Sequence, residues 1–346
     1  MLESSLAIRV QPIGCALLIA SLLQAGQAPR GPQSRVTLTL VEQRDMPVIR
    51  RGDPGTEQNK YGFEGGCVIK QNDLYHLFTS EMVGDPFWVK MKLGHWTSSD
   101  RLKWTRRDTM YESSGDTTGK DPRAALWAPM PVWDPNEKLW NLFYVAYHAP
   151  TNWDGRIWRA VSKTLDGPWK DTGVVLERGP ASDWWEDKQG TDSFFAFPAG
   201  GRWLGFYGSS DTKSWWKVGL AEASTLAGPW RRLSKLNPVA LSGDLGTENP
   251  VVTRLPSGRY VAVFDTIRTP YAIGYADSAD GIHWPEARQL QLEQRPALWV
   301  GDVRTVLGLI EEPDGTFTLF YTGYEKTKGK QGYGCLGLLR VRVAEQ

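Results

Sequence analysis

Cysteine and histidine are scarce in this chain, with three Cys and four His in 346 residues. His76, His95, His148 and His283 stand at no metal-ligand spacing, so no metal site is expected. There is no glycine-rich phosphate loop and no dinucleotide fingerprint, and no cofactor is expected either. Charge of one sign is also missing. The 40 Lys and Arg balance 39 Asp and Glu, and the net +1 contains no run of like charge. Nucleic acid and anionic membrane surfaces are therefore excluded as partners. The apolar run Ile13 to Leu23 is too short to span a bilayer comfortably. It follows Arg9 and precedes the small residues up to Ala28, which is the pattern of a secretory signal peptide. Residues 1–28 are expected to be that signal, and 29–346 a secreted or periplasmic domain without a membrane anchor. Two cysteines then remain, Cys67 and Cys335. They are compatible with a bridge or with two small buried hydrophobes.

What the chain has in quantity is Trp, 17 of them, within a 41% hydrophobic composition ample for a large core. It also has a repeat. Glu64, Asp192, Glu248 and Asp302 each precede an apolar strand, a turn and a second apolar strand. A fifth copy runs from Ala128-Pro129-Met130 through Asp134-Pro135-Asn136 to Tyr147 and carries Met130 where the others carry an acid. A second motif keeps time with the first. Ser99 to Trp104, Thr164 to Trp169, Thr225 to Trp230 and Ser278 to Trp284 are one turn written four times, closed by Trp at the start of a strand. Each period thus holds four strands, the content of one propeller blade. The last period has only three. Val36 to Val41 alternates like a strand before the first blade begins and completes the fifth. The expected fold is all-β, a five-bladed β-propeller of four-stranded blades, its ring closed by an N-terminal strand.

In a propeller the innermost strands line a central channel. Glu64, Asp192, Glu248 and Asp302 then face one mouth, where unpaired carboxylates are costly unless they are used. A lone acid there reads as a cap on backbone N–H groups; four at one repeat position point to a shared site.

At these residues the sequence resembles glycoside hydrolase family 43 and its five-bladed relatives, including family 117. The resemblance is carried by Trp127-Ala128-Pro129, by Thr191-Asp192-Ser193-Phe194-Phe195 and by Thr247-Glu248-Asn249-Pro250. It implies cleavage of glycosidic bonds with inversion and a carbohydrate as the partner. It also implies Glu248 as general acid, Asp192 as the carboxylate that tunes it, and Glu64 in the place of the base. The resembling family has Asp at the base position, so the chain is expected to be a divergent member. Asp53, in Gly-Asp-Pro, is a weaker candidate base and reads first as a turn residue.

Aromatic residues surround the same mouth. Trp88, Trp127 and Trp185 are candidates to stack on sugar rings, with Trp153, Trp184 and the Trp215-Trp216 pair nearby. His95 is placed to reach the site. Arg304, two residues after Asp302 on one strand face, pairs with Asp302 or holds an anionic group of the sugar. Two functions follow: a secreted glycoside hydrolase with a carboxylate acid/base pair, or a non-catalytic carbohydrate-binding propeller. Oligomeric state is left open.

Overall fold

The ring is built from twenty antiparallel strands and one 3₁₀ turn, Ala240–Ser242, among the described residues. The structure, a computed structural model, describes residues 34–148, 153–210, 216–244, 246–326 and 333–346. The expected signal peptide and its cleavage near Ala28 lie outside them, as does Trp215. No helix among the described residues is long and apolar enough to cross a membrane.

Strand β1 (Val36–Gln43) is first in the chain and last in the ring. Strands β2 (Gly62–Gln71), β3 (Leu74–Met82), β4 (Met91–Ser98) and β5 (Thr105–Glu112) form the first blade. The second holds β6 (Ala125–Asp134), β7 (Leu139–His148), β8 (Trp153–Ser162) and β9 (Lys170–Leu176). The third holds β10 (Asp192–Ala199), β11 (Arg202–Ser209), β12 (Lys217–Ala223) and the short β13 (Arg231–Arg232). The fourth holds β14 (Thr247–Arg254), β15 (Tyr260–Thr266), β16 (Ala272–Ser278) and β17 (Arg288–Gln291). Strands β18 (Val300–Glu311), β19 (Phe317–Glu325) and β20 (Cys335–Glu345) make the fifth, with β1 as its outer strand.

Closure is as expected. Strand β1 pairs with β20 from Val36↔Glu345 to Gln43↔Leu339. Asp277, buried in the fourth blade, accepts from the Arg35 and Val36 amides at 3.0 Å each, so the closing strand is tied to two blades. Local sequence sets the hairpins. Asn72-Asp73 and Gly200-Gly201 are two-residue links with positive φ at both positions, the geometry that matches strand twist.

The repeated Trp turn does more than close hairpins. Trp104 and Trp284 donate their indole N–H back to Arg101 O at 2.9 Å and Gly281 O at 2.8 Å. Each indole also wedges into the preceding blade: Trp104 edge-on to Phe320, Trp230 to Phe143, and Trp284 tilted against Phe206. Trp169 packs in the same way in the cluster of Phe78, Trp140 and Leu165. One motif therefore supplies both the turn and the inter-blade staple, burying large apolar area at four of the five seams. Cys67 and Cys335 are buried and not bridged to each other, the second of the two states open to them.

A bulge recurs where each innermost strand enters the channel. Pairing slips between Glu64 and Gly66, between Trp127 and Met130, between Asp192 and Phe195, and between Glu248 and Val251. The residue after the first of each pair has positive φ: Gly65, Ala128, Ser193 and Asn249. A bulge re-aims the side chain beside it. Here it does so four times in one direction.

Candidate active site

The bulges redefine which residues are equivalent. Glu64, Trp127, Asp192 and Glu248 occupy one repeat position, three residues before Cys67, Met130, Phe195 and Val251. Met130 therefore does not replace an acid. It is fully buried in the core, and the second blade's counterpart of the acids is Trp127. In the fifth blade the same slip falls between Val303 and Thr305, which makes Val303 the counterpart and leaves Asp302 one residue short. A one-residue offset turns a strand side chain to the other face. Asp302 accordingly leaves the mouth and accepts from the Tyr271 amide at 3.0 Å. It is a backbone cap, not a site residue.

A pocket of about 280 Å³ opens at the channel mouth, lined by Glu64, Trp127, Asp192, Glu248 and Arg304 among others. Arg304 sits within the bulged stretch and is its centre. Its NH1 donates to Glu248 Oε2 at 2.7 Å and to Asp265 Oδ2 at 3.0 Å, and its NH2 contacts Glu64 Oε1. The expected pairing with Asp302 does not form. Nor is the guanidinium available to an anionic sugar, since three carboxylates already occupy it. Tyr333 stands behind it, accepting from Nε at 3.3 Å. A close crossing brings Tyr333 there: a Cβ on Gly62, at φ +119, would fall 1.3 Å from the Tyr333 carbonyl oxygen.

Asp192 has its own partners. The Tyr147 hydroxyl donates to Asp192 Oδ2, and Gln189 Nε2 donates to that hydroxyl at 2.5 Å. Ser193 Oγ lies 3.2 Å from Asp192 Oδ1 and donates to Asn249 Oδ1 at 2.6 Å. Asn249 in turn donates to Asp265. Two buried polar atoms of the pocket, Glu64 Oε2 and Trp127 Nε1, have no hydrogen-bond partner among the described residues, where buried polar groups are normally paired.

Four carboxylates around one cation cannot all ionise freely. Burial pushes the Glu64 carboxyl up to about 7 against the pull of Arg304, with Glu248 adding to the rise. Burial also raises Asp192 and Glu248. Asp265 is pushed well up by burial and then by Glu248. Glu248 and Asp265 face each other across the β14–β15 hairpin and share one guanidinium nitrogen, so they titrate as a pair. Burial works against the charge of Arg304, yet Glu64 and Glu248 hold it protonated.

A stability prediction follows with a definite sign. Folded Glu64 keeps its proton to about pH 7, while the unfolded chain loses it near 4.5. Between those values the folded state binds more protons, so stability falls as pH rises and levels off above them. Urea midpoints across this window should fall more steeply for wild type than for Glu64→Gln, which has no charge to bury. Parallel slopes would contradict the assignment.

Of the aromatic candidates, Trp88 and Trp127 line the pocket, and so does Trp216. Trp185 does not. It is fully buried, stacked on Tyr207 at 5.4 Å, whereas its neighbour Trp184 is the exposed one. His95 is also corrected. It lies inside the first blade, stacked on Phe78 at 4.4 Å with His76 3.0 Å away, and burial lowers its pKa to about 4. It can neither reach the mouth nor carry a proton there. Asp53 accepts from the Arg50 amide at 2.9 Å, as a turn residue should. Asp265, Tyr147, Gln189, Asn249 and Tyr333 join the site unannounced. Asp265 had a signal: an acid ending the apolar run Tyr260 to Phe264, opposite Glu248.

No family model and no curated relative matches the chain. Solved structures do resemble it. A family 117 glycoside hydrolase, Zg3597 of the marine bacterium Zobellia galactanivorans, superposes with TM-score 0.62 at 15% identity, over 89% of this chain and 90% of that one. The exo-β-1,3-galactanase 1,3Gal43A of Clostridium thermocellum gives 0.60 at 14%, over 88% and 62%. The family 43 β-1,3-galactosidase BT0265 gives 0.58 at 14%, over 89% and 60%. The likeness is one of fold: the chain is a five-bladed propeller of the kind these glycoside hydrolases have.

Proposed function

We propose that this chain is a glycoside hydrolase whose reaction centre is the Arg304 cluster. The observation that carries the reading is the arrangement around that guanidinium: Glu64 on one nitrogen, Glu248 and Asp265 on another, with Asp192 in the same small pocket. Hydrolysis of an acetal needs a proton for the leaving oxygen and a base for water, from two carboxyl groups in different protonation states. Glu248, sharing its nitrogen with Asp265 and raised by burial, serves as the acid. Glu64, free at Oε2, activates water in its ionised form, the form that prevails above about pH 7. Asp192, anchored by Tyr147, stays beside the acid and keeps its proton affinity high.

Inversion requires the acid and base carboxyls to stand roughly 6.5–9.5 Å apart. Bridging by one arginine caps the gap between Glu64 and Glu248 at the fork's width plus a hydrogen bond on each side, a bound that admits the inverting spacing and also the roughly 5 Å of a retaining pair. Inversion is proposed from the resemblance to family 43, and the stereochemistry of the product decides it.

Substrate class follows from charge. Arg304 is saturated and the remaining charged groups lining the pocket are acids, so the pocket favours neutral sugars over uronic or sulfated ones. β-1,3-Galactosides are the first substrates to test, because two of the structural neighbours act on them by their descriptions. Release of galactose from β-1,3-galactan, in a panel with aryl glycosides and acidic polysaccharides, tests the reading. Turnover of acidic polysaccharides alone would oppose it.

Trp127 lends its unpaired N–H and ring to the pocket wall. Trp127→Phe should keep the fold and raise KM for the sugar by about tenfold, the worth of one hydrogen bond left unmade. An unchanged KM would remove Trp127 from the binding site.

A further inference from the structure

The rim between the second and third blades holds an arrangement that the pocket chemistry leaves unused. Trp153 opens β8 and is 47% exposed. Backbone pairing fixes its place. The Asp154 amide donates to Lys188 O, Gly155 to Gln189 O and Thr191 to Gly155 O, each at 2.8 Å. Only glycine allows this approach: a Cβ on Gly155 would meet the Tyr147 ring at 2.5 Å and the Thr191 carbonyl oxygen at 2.7 Å.

This zipper has two consequences. It sends Gln189 into the pocket, onto the Tyr147 hydroxyl. It also holds Lys188 Nζ 4.7 Å from the centre of the Trp153 ring. One face of the indole therefore carries a cation, and nearly half of the residue is exposed to solvent. Two residues of chain, at most about 7 Å, separate Trp153 from Gly155 against the pocket wall. The pocket itself, about 280 Å³, is at the small end of ligand sites, roughly 300–1,000 Å³. Any oligosaccharide longer than the residue it encloses must leave over the rim.

We infer that the exposed part of the Trp153 indole, backed by Lys188, is a second sugar-binding subsite, taking the residue next to the one in the pocket. The inference rests on the glycosidase reading. An indole face matches the apolar face of a pyranose, and the Lys188 cation over the ring helps hold the indole in place.

The test compares kcat/KM on β-1,3-galactotriose with that on 4-nitrophenyl β-galactoside, as a ratio. Trp153→Ala should lower the ratio about tenfold, equivalent to ~1.4 kcal/mol of lost stacking, and Trp153→Phe should restore most of it. Trp153→Gln, which keeps bulk without a stacking face, should behave as Trp153→Ala and serves if the Ala variant misfolds. An unchanged ratio in both, or one that Phe fails to restore, overturns the subsite. Wild-type protein that cleaves neither substrate overturns instead the β-galactoside reading on which the subsite rests, and the two failures are distinct.

Discussion

Glu248→Gln should lower kcat/KM on unactivated oligosaccharides by about 10³-fold, within the roughly 10²–10⁴ that a positioned acid supplies. Aryl glycosides whose phenols leave as anions should lose far less, since they need little protonation. The asymmetry is the informative part. Gln cannot donate a proton, but it fills the same volume and can still accept from Arg304 NH1, which now meets Glu248 at 2.7 Å. Glu64→Gln should reduce both substrate classes alike, because water must be activated whatever leaves. Kinetics on a matched pair of substrates separate the roles. Equal losses on both classes for Glu248→Gln would deny it the acid's part. Near-normal rates for Glu64→Gln would remove the base.

The second large effect is on stability. Arg304→Met should destabilise the fold by about 3–5 kcal/mol at neutral pH, the usual result of removing one partner from a buried ionic cluster. The Arg304 side chain is 18% exposed and its partners Glu64, Glu248 and Asp265 still less, so water cannot replace it. Those carboxyls are already raised by burial, and losing the cation raises them further. The loss should therefore shrink as pH falls and the acids take up protons. Denaturant midpoints of both proteins at pH 7.5 and near pH 5 would measure this. A loss that stays the same at both would mean that Arg304 contributes packing rather than charge.

Much of this was legible in the residues. The strand–turn–strand repeat and the Trp turn carry their own geometry, so blade number, blade content and the closing role of Val36–Gln43 follow from pattern. Glu64, Asp192 and Glu248 were legible too, and they do meet in one pocket. The failures at the mouth are failures of register, whereas His95 fails because it packs inside the first blade. Asp302 lies one position from the true repeat site and turns away. Met130 was aligned by frame, but the bulge makes Trp127 the equivalent. Of the adjacent Trp184 and Trp185, one faces solvent and the other the core, and composition does not say which. A bulge adds a residue without changing the apolar pattern, so register at the channel mouth is invisible to periodicity. The partners Tyr147, Asp265 and Tyr333 arrive by strand pairing and chain crossing, which depend on that register.

Stereochemistry tests the central claim most directly. Proton NMR of the anomeric signals, followed from the first minutes of β-1,3-galactan cleavage, reports which galactose anomer leaves the enzyme. An acid at Glu248 and a water-activating base at Glu64 predict α-galactose first, with the β form growing in by mutarotation. Release of β-galactose first would contradict the account.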